Sequence, residues 1–257
     1  MTHLLRREVV LGGLLTLGSF PSCSCHANAN SAESGREYGC YVPHQEASEF
    51  FDKSTSFSMF ENGSEQIEPR SGNAQLDRAL AQTLAKLSKT FDVLPGFAYY
   101  RDNGRPNALA TPEVRLQRTD GTVLFGLEML QMLLQRPEHP DASIVAVCAH
   151  EFGHIVGYKT RLIEKLAPNR RDPFRAEQHA DYIAGFFAGM RKLERSDFPA
   201  IVFATTQQSF GGTLRGSHGT GQERGEAVLE GFKAAYERKV TPAEGIQLGF
   251  QYAMTRK

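Results

Sequence analysis

The sequence predicts an α+β fold: a mainly helical domain with a small β-sheet or hairpin beside one central helix. Three observations predict it. Apolar residues recur at helical spacing in several segments after Ala74. Between Val93 and Gly126 the pattern changes to short β-prone runs broken by the turn pairs Asn103-Gly104 and Asp120-Gly121. The 257 residues, 40% hydrophobic and 23% charged, are enough for one domain with a sizeable core. That domain is expected over residues 72–257, behind an address segment at 1–29 and a polar leader at 30–71.

The address segment reads as an export signal. Arg6 and Arg7 precede an apolar stretch from Val9 to Phe20, too short to span a bilayer, and Ala27-Asn28-Ala29 is the small-x-small site that signal peptidase cuts. The arginine pair is similar to a bacterial twin-arginine signal, although Leu5 stands where Ser or Thr is usual; export by the general route is the alternative. Either route predicts a soluble chain in the periplasm or another extracytoplasmic space. Phe20-Pro21-Ser22 is a poor match to the residues that precede a lipidated cysteine, so an anchor on Cys23 is the weaker reading. Cleavage after Ala29 removes two of 29 basic and one of 29 acidic residues, leaving a charge near zero. With no long Lys/Arg run, the footprint of a nucleic-acid binder is absent. Cys40 and Cys148 survive cleavage, and an oxidising compartment would permit them to pair; Cys148 also reads as a small apolar core residue. A metal-capping role for Cys40 has no spacing to support it. The leader, rich in Ser, Glu, Gly and Asn without a period, is expected to be mobile or loosely packed.

The domain begins with a helix from Ala74 to Thr90, carried by Leu76, Leu80, Leu84 and Leu87. Phe97 to Arg101 reads as a strand. Val114, Leu116 and Arg118 alternate with Arg115, Gln117 and Thr119, predicting another strand before Asp120-Gly121 turns the chain into Thr122–Phe125. An exposed edge of such a sheet could hold a substrate strand through main-chain hydrogen bonds, and a plain hairpin is an equal reading. Leu127 to Gln135 is helical. Asp141 to Gly157 follows, with Asp141 as N-cap behind Pro140 and Gly157 as the stop. A further helix begins at Asp172-Pro173, an N-cap carboxylate followed by proline at the first helical position. Gly185 and Gly189 sit in an apolar stretch far too short to span a membrane and are read as a close helix contact.

The 141–157 helix contains His150-Glu151-Phe152-Gly153-His154. Positions four apart share a helix face, so both imidazoles can bind one metal ion with a carboxylate beside them. A random chain of this composition would contain the pattern roughly once in a hundred trials, so its neighbourhood has to decide. Zn²⁺ suits the donors: a catalytic site keeps three protein ligands and a water, which Glu151 could deprotonate. Thr160 stands where a metzincin would place its third histidine, although Gly157 of that pattern is present. Glu177 and Asp181, four apart on one face, remain as a glutamate-type and an aspartate-type third ligand. His179 between them has no assignment.

His150-Glu151-x-x-His154 followed by Glu177-x-x-Ala180-Asp181 resembles the gluzincin metallopeptidases of the HtpX and CAAX-prenyl-protease group, especially their soluble exported relatives of the BepA and LoiP type. Asn107-Ala108-Leu109-Ala110-Thr111-Pro112, Gly121 to Leu130, and Ser217 to Arg224 are similar to flanking blocks of the same group, so the resemblance covers about half the chain. Gly219 departs from the group's usual proline, and no membrane helices accompany the motif. The resemblance implies a zincin-like fold and one zinc ion on His150, His154 and Glu177. It implies Glu151 as general base and proton shuttle, and Asp181 as the outer partner of a ligand imidazole. It places His218 and Arg224 near the cleft, where either could stabilise an oxyanion; a salt bridge at a helix start is the plainer reading of Arg224, and a loop surface that of His218. The implied activity is zinc-dependent hydrolysis of peptide bonds in protein or peptide substrates. The alternative is a latent or inactive zinc-binding, chaperone-like module of the same fold. Nothing in the sequence sets an oligomeric state.

Overall fold

A computed structural model describes residues 47–54, 56–63, 71–168, 172–214 and 216–256. The chain runs α1 (Ala47–Asp52), α2 (Ala74–Phe91), β1 (Gly96–Tyr100), β2 (Ala108–Thr111), β3 (Thr122–Gly126), α3 (Leu127–Leu134), α4 (Pro140–Lys159), α5 (Ile163–Leu166), α6 (Phe174–Glu194), α7 (Ile201–Phe210), α8 (Gly221–Tyr236) and α9 (Pro242–Thr255). It is mainly helical with a small three-stranded mixed sheet, an α+β architecture. Among the described residues no helix is long and apolar enough to cross a membrane.

β3 lies between β1, parallel to it, and β2, antiparallel to it. Successive side chains point to opposite faces of a sheet. Phe97, Tyr99, Ala108, Ala110, Val123 and Phe125 therefore enter the main core shared with the helices, while Ala98, Tyr100, Leu109 and Leu124 form a second cluster with Ala47 and Phe51 of α1. Covering both faces is what makes every position of these strands buried. After α1, Ser54 and Ser58 bridge to Tyr100 and Phe97 along the outer edge of β1, and Phe60 enters the core. The 47–63 part of the expected mobile leader thus belongs to the fold. Its apolar cover comes from aromatics scattered among polar residues, so no period announces it. Arg115 reinforces the attachment, its guanidinium 4.4 Å from the centre of the Phe51 ring. The export signal, Cys23, Cys40 and any pairing of Cys40 with Cys148 lie outside the described residues. Cys148 is fully buried in the main core, which pushes its thiol pKa up.

Other expectations need correction. The alternation at 114–119 is a turn, not a strand: Thr119 N–H donates to the Leu116 carbonyl and Arg118 has φ 71°. The partner of β3 is instead the short Ala108–Thr111 run, ended by Pro112, which has no N–H to donate to a ladder. α4 starts at Pro140 with His139, φ 47°, in the cap position, and continues through Gly157 to Lys159. Its apolar face does not stop at Gly157, and Tyr158 reaches across to donate its hydroxyl to the Ala110 carbonyl at 3.1 Å. α6 starts at Phe174, whose N–H is still accepted by Asp172 Oδ1 at 3.3 Å.

α6 is the centre of the helical layer and packs on α4, α8 and α9. A Cβ on Gly185 would stand 1.9 Å from the Val228 carbonyl oxygen, and one on Gly231 1.9 Å from that of Tyr182, so α6 and α8 touch backbone to backbone. This close contact sets α8, and with it Arg224, directly behind the face of α6 that carries Glu177 and Asp181.

Candidate metal centre

The site forms where α4 crosses α6. His150 and His154 leave one face of α4, and Glu177 leaves α6 toward them. Glu177 Oε2 lies 3.2 Å from His150 Nε2, Glu177 Oε1 3.5 Å from His154 Nε2, and the two Nε2 atoms are 3.2 Å apart. These three residues, each 2% exposed or less, form a group that could hold a metal ion. Both carboxylate oxygens of Glu177 are buried without a hydrogen-bond partner. Glu151, 1% exposed, occupies the turn of α4 between the two histidines.

Behind His150 the arrangement is different. Its Nδ1 hydrogen-bonds Asp181 Oδ1 at 2.7 Å, which turns Nε2 toward Glu177. Asp181 is held in turn by Arg224, whose Nε donates to Oδ2 and Nη2 to Oδ1, both at 2.8 Å. Nη2 also donates to Gln207 Oε1 at 2.6 Å. Asp181 and Glu177 thus separate cleanly: one carboxylate faces a fixed cation, the other faces ring nitrogens.

The electrostatics follow from burial and these partners. Burial opposes a charge on His150, but the Asp181 and Glu177 carboxylates outweigh it and raise its pKa to about 10. Burial lowers that of His154 against the pull of Glu177. Glu177 is held well below the usual carboxylate range: burial raises it, and the surrounding His218 and His154 more than reverse that. For Asp181 burial again raises and the Arg224 charge prevails, so the carboxyl stays ionised.

His218 is brought into the group. It is buried, its Nε2 is 3.6 Å from Glu177 Oε2, and burial lowers its pKa to about 4. Ser217 Oγ lies 3.1 Å from its Nδ1. The loop-surface reading of His218 does not hold. The neighbouring Gly219 has φ 89° and donates its N–H to the Gly216 carbonyl, so a proline cannot occupy this place without rebuilding the loop. Arg224 is brought close but faces Asp181 and Gln207 on the Nδ1 side of His150, away from the Nε2 atoms of the two histidines. Of its two readings the structure shows the plainer one, a salt bridge, made to Asp181. His179 is buried, and desolvation lowers its pKa to about 4.

Sequence reasoning missed Gln207. The available signal was a polar run, Thr205-Thr206-Gln207-Gln208, inside a helix whose Thr206 and Gln207 are buried. No family model, no curated protein and no solved structure matches the chain.

Proposed function

We propose that the chain is an exported, zinc-dependent metalloendopeptidase of the gluzincin type, with a zincin-like fold, acting on protein or peptide substrates. One observation carries the reading. Tetrahedral zinc ligands at about 2.0–2.1 Å stand roughly 3.3–3.4 Å from one another; here the two Nε2 atoms are 3.2 Å apart, and the Glu177 carboxylate meets them through one oxygen each, at 3.2 Å from His150 and 3.5 Å from His154. A buried carboxylate with neither oxygen hydrogen-bonded suits a cation, and two imidazoles with one carboxylate suit zinc. The motif resemblance to the HtpX and CAAX-prenyl-protease group supports the same assignment.

Bound there, zinc supplies a Lewis acid that polarises the scissile carbonyl and acidifies a water. Glu151 takes the proton of the attacking water and returns it to the departing amine. Asp181 holds His150 in the tautomer that presents Nε2. A Ser217 hydroxyl donating to His218 Nδ1 leaves the proton of the neutral ring on Nε2, on the Glu177 side, where it can stabilise the oxyanion. The outer edge of β1 is taken by Ser54 and Ser58, so β2, packed beside α4, is the edge on which a substrate strand would lie.

Replacement of Glu151 by Gln, with zinc content and cleavage of an unfolded protein measured together, tests the mechanism. Zinc retained with activity reduced by about 10²–10⁴-fold is expected; full activity refutes it. The burial of the ligands and of Glu151 favours a second reading, a latent form of the same enzyme. Trimming residues 1–46, which leaves the sheet cover intact, separates the two readings. Cleavage that appears only after trimming indicates latency, and zinc binding without cleavage in either form indicates the chaperone-like module.

A further inference from the structure

Gln207 lies on α7, 1% exposed and outside every motif of the sequence. Its Oε1 accepts from Arg224 Nη2 at 2.6 Å, and its Nε2 donates to the Ala146 carbonyl on α4 at 3.2 Å. Ala146 stands four residues before His150, so in a regular helix the same carbonyl accepts the His150 N–H. The bonds close a ring: His150 to Asp181, Asp181 to Arg224, Arg224 to Gln207, and Gln207 back to the helix that carries His150. Only a neutral group with an acceptor on one side and a donor on the other completes it, and the carboxamide provides both. The reversed amide would set an NH₂ against the guanidinium, so the network fixes its orientation. One residue earlier, Thr206 Oγ1 donates to Ser143 Oγ at 3.2 Å, a second bond from α7 to α4 that keeps the amide in place.

We propose that Gln207 is a positioning residue of the metal centre: it fixes the plane of Arg224 and, through Arg224 and Asp181, the direction of His150 Nε2. This rests on the reading of His150, His154 and Glu177 as metal ligands. The test is a zinc titration against a chromophoric chelator, with Co²⁺ absorption spectra and unfolding of the metal-free protein, for wild type and three variants. Gln207→Met removes both bonds, and Gln207→Asn withdraws the amide by one methylene; each is expected to weaken zinc binding about tenfold, as loss of an outer partner does, and to shift the Co²⁺ bands. Gln207→Glu keeps the acceptor for Arg224 but loses the donor to the Ala146 carbonyl, and is expected to weaken zinc binding by less than Gln207→Met does. Either of the first two variants at wild-type affinity with an unchanged spectrum overturns the proposal, as does an equal loss in Gln207→Glu and Gln207→Met, which would show that the bond to Arg224 carries none of the effect. A purely structural role lowers the stability of the metal-free protein and leaves affinity and spectrum unmoved. A wild type that binds no zinc refutes the metal centre itself, a result distinct from all of these.

Discussion

Gly153, inside the motif, is where the separation of α4 and α6 is set, and Gly153→Ala tests whether that separation builds the site. A Cβ at this position would stand 2.6 Å from Ala180 Cα and 3.0 Å from its carbonyl oxygen, both backbone atoms that no rotamer change can move. Carbon atoms rest at about 3.5–4.0 Å, so the helices must part by roughly 1 Å. Glu177 sits three residues from Ala180 on the moving helix, and its oxygens are now 3.2 and 3.5 Å from the imidazoles. A 1 Å displacement far exceeds the ~0.2 Å tolerance of a metal site. Zinc affinity is expected to fall by at least the 10–100-fold that an outer-partner loss causes. Overpacking costs about 1–3 kcal/mol, and alanine returns about 0.5–1 kcal/mol of helix preference, so the metal-free protein should lose no more than about 2.5 kcal/mol. Gly157→Ala is the control on the same helix: its nearest neighbour would be Ile163 at 3.9 Å, an ordinary contact, and it should stabilise by about 0.5–1 kcal/mol with zinc binding unchanged. Denaturant unfolding and competitive zinc titration measure both. Gly153→Ala with wild-type zinc affinity would refute the claim that this crossing sets the ligand distances.

Two further outcomes follow from the buried charges. Arg224→Met strands the Asp181 carboxylate and should cost about 3–5 kcal/mol in denaturant unfolding, with much of it recovered by adding Asp181→Asn; a loss under about 1 kcal/mol would show that Asp181 does not depend on Arg224. Zinc binding near pH 7 should release one proton. His150, raised to about 10, is protonated in the metal-free protein, whereas the lowered His154 is neutral and Glu177 already ionised, so apparent affinity should rise tenfold per pH unit until about pH 10. Calorimetry in buffers of different ionisation enthalpy counts the proton, and a count of zero contradicts the charge state assigned to His150.

What the sequence revealed was local. The two histidines and Glu151 share a turn of one helix, and Glu177 and Asp181 share a face of another, so spacing alone aligned them. The crossing that brings Glu177 to the histidines depends on Gly153 meeting Ala180, a contact between residues 27 positions apart with no periodic signature. Spacing alone showed Arg224 only as a helix-start residue, because its partners come from α6 and α7, and it was the resemblance that placed it near the cleft. The sheet was legible in kind but not in membership: alternation at 114–119 outscored the four residues of β2, although Pro112 and the turn at Arg118 prevent those residues from extending the ladder. The covering aromatics Phe51 and Phe60 were hidden by polar neighbours for the same reason, since burial there is decided by a sheet that lies elsewhere in the chain.

The roles of the two carboxylates on α6 rest on an asymmetry that no motif encodes. Burying an ionised carboxyl is expensive unless a cation or several donors meet it. Asp181 meets that condition within the chain: both its oxygens take bonds from Arg224, and one also meets His150 Nδ1. Glu177 does not, for its oxygens accept no hydrogen bond and face the Nε2 atoms of His150, His154 and His218. Protonating those rings would pay for the charge only in part, since burial lowers the pKa of His154 and His218. An ion among the nitrogens resolves the deficit, taking the place of the His150 proton and leaving all three rings neutral. On that account Glu177→Gln, which keeps the shape but removes the charge that faces His150, should weaken zinc binding and cost the metal-free protein less than Asp181→Asn, which leaves Arg224 without its carboxylate. Unfolding of the two metal-free variants side by side would show it, and an equal loss in both would mean that Glu177 is satisfied without a metal.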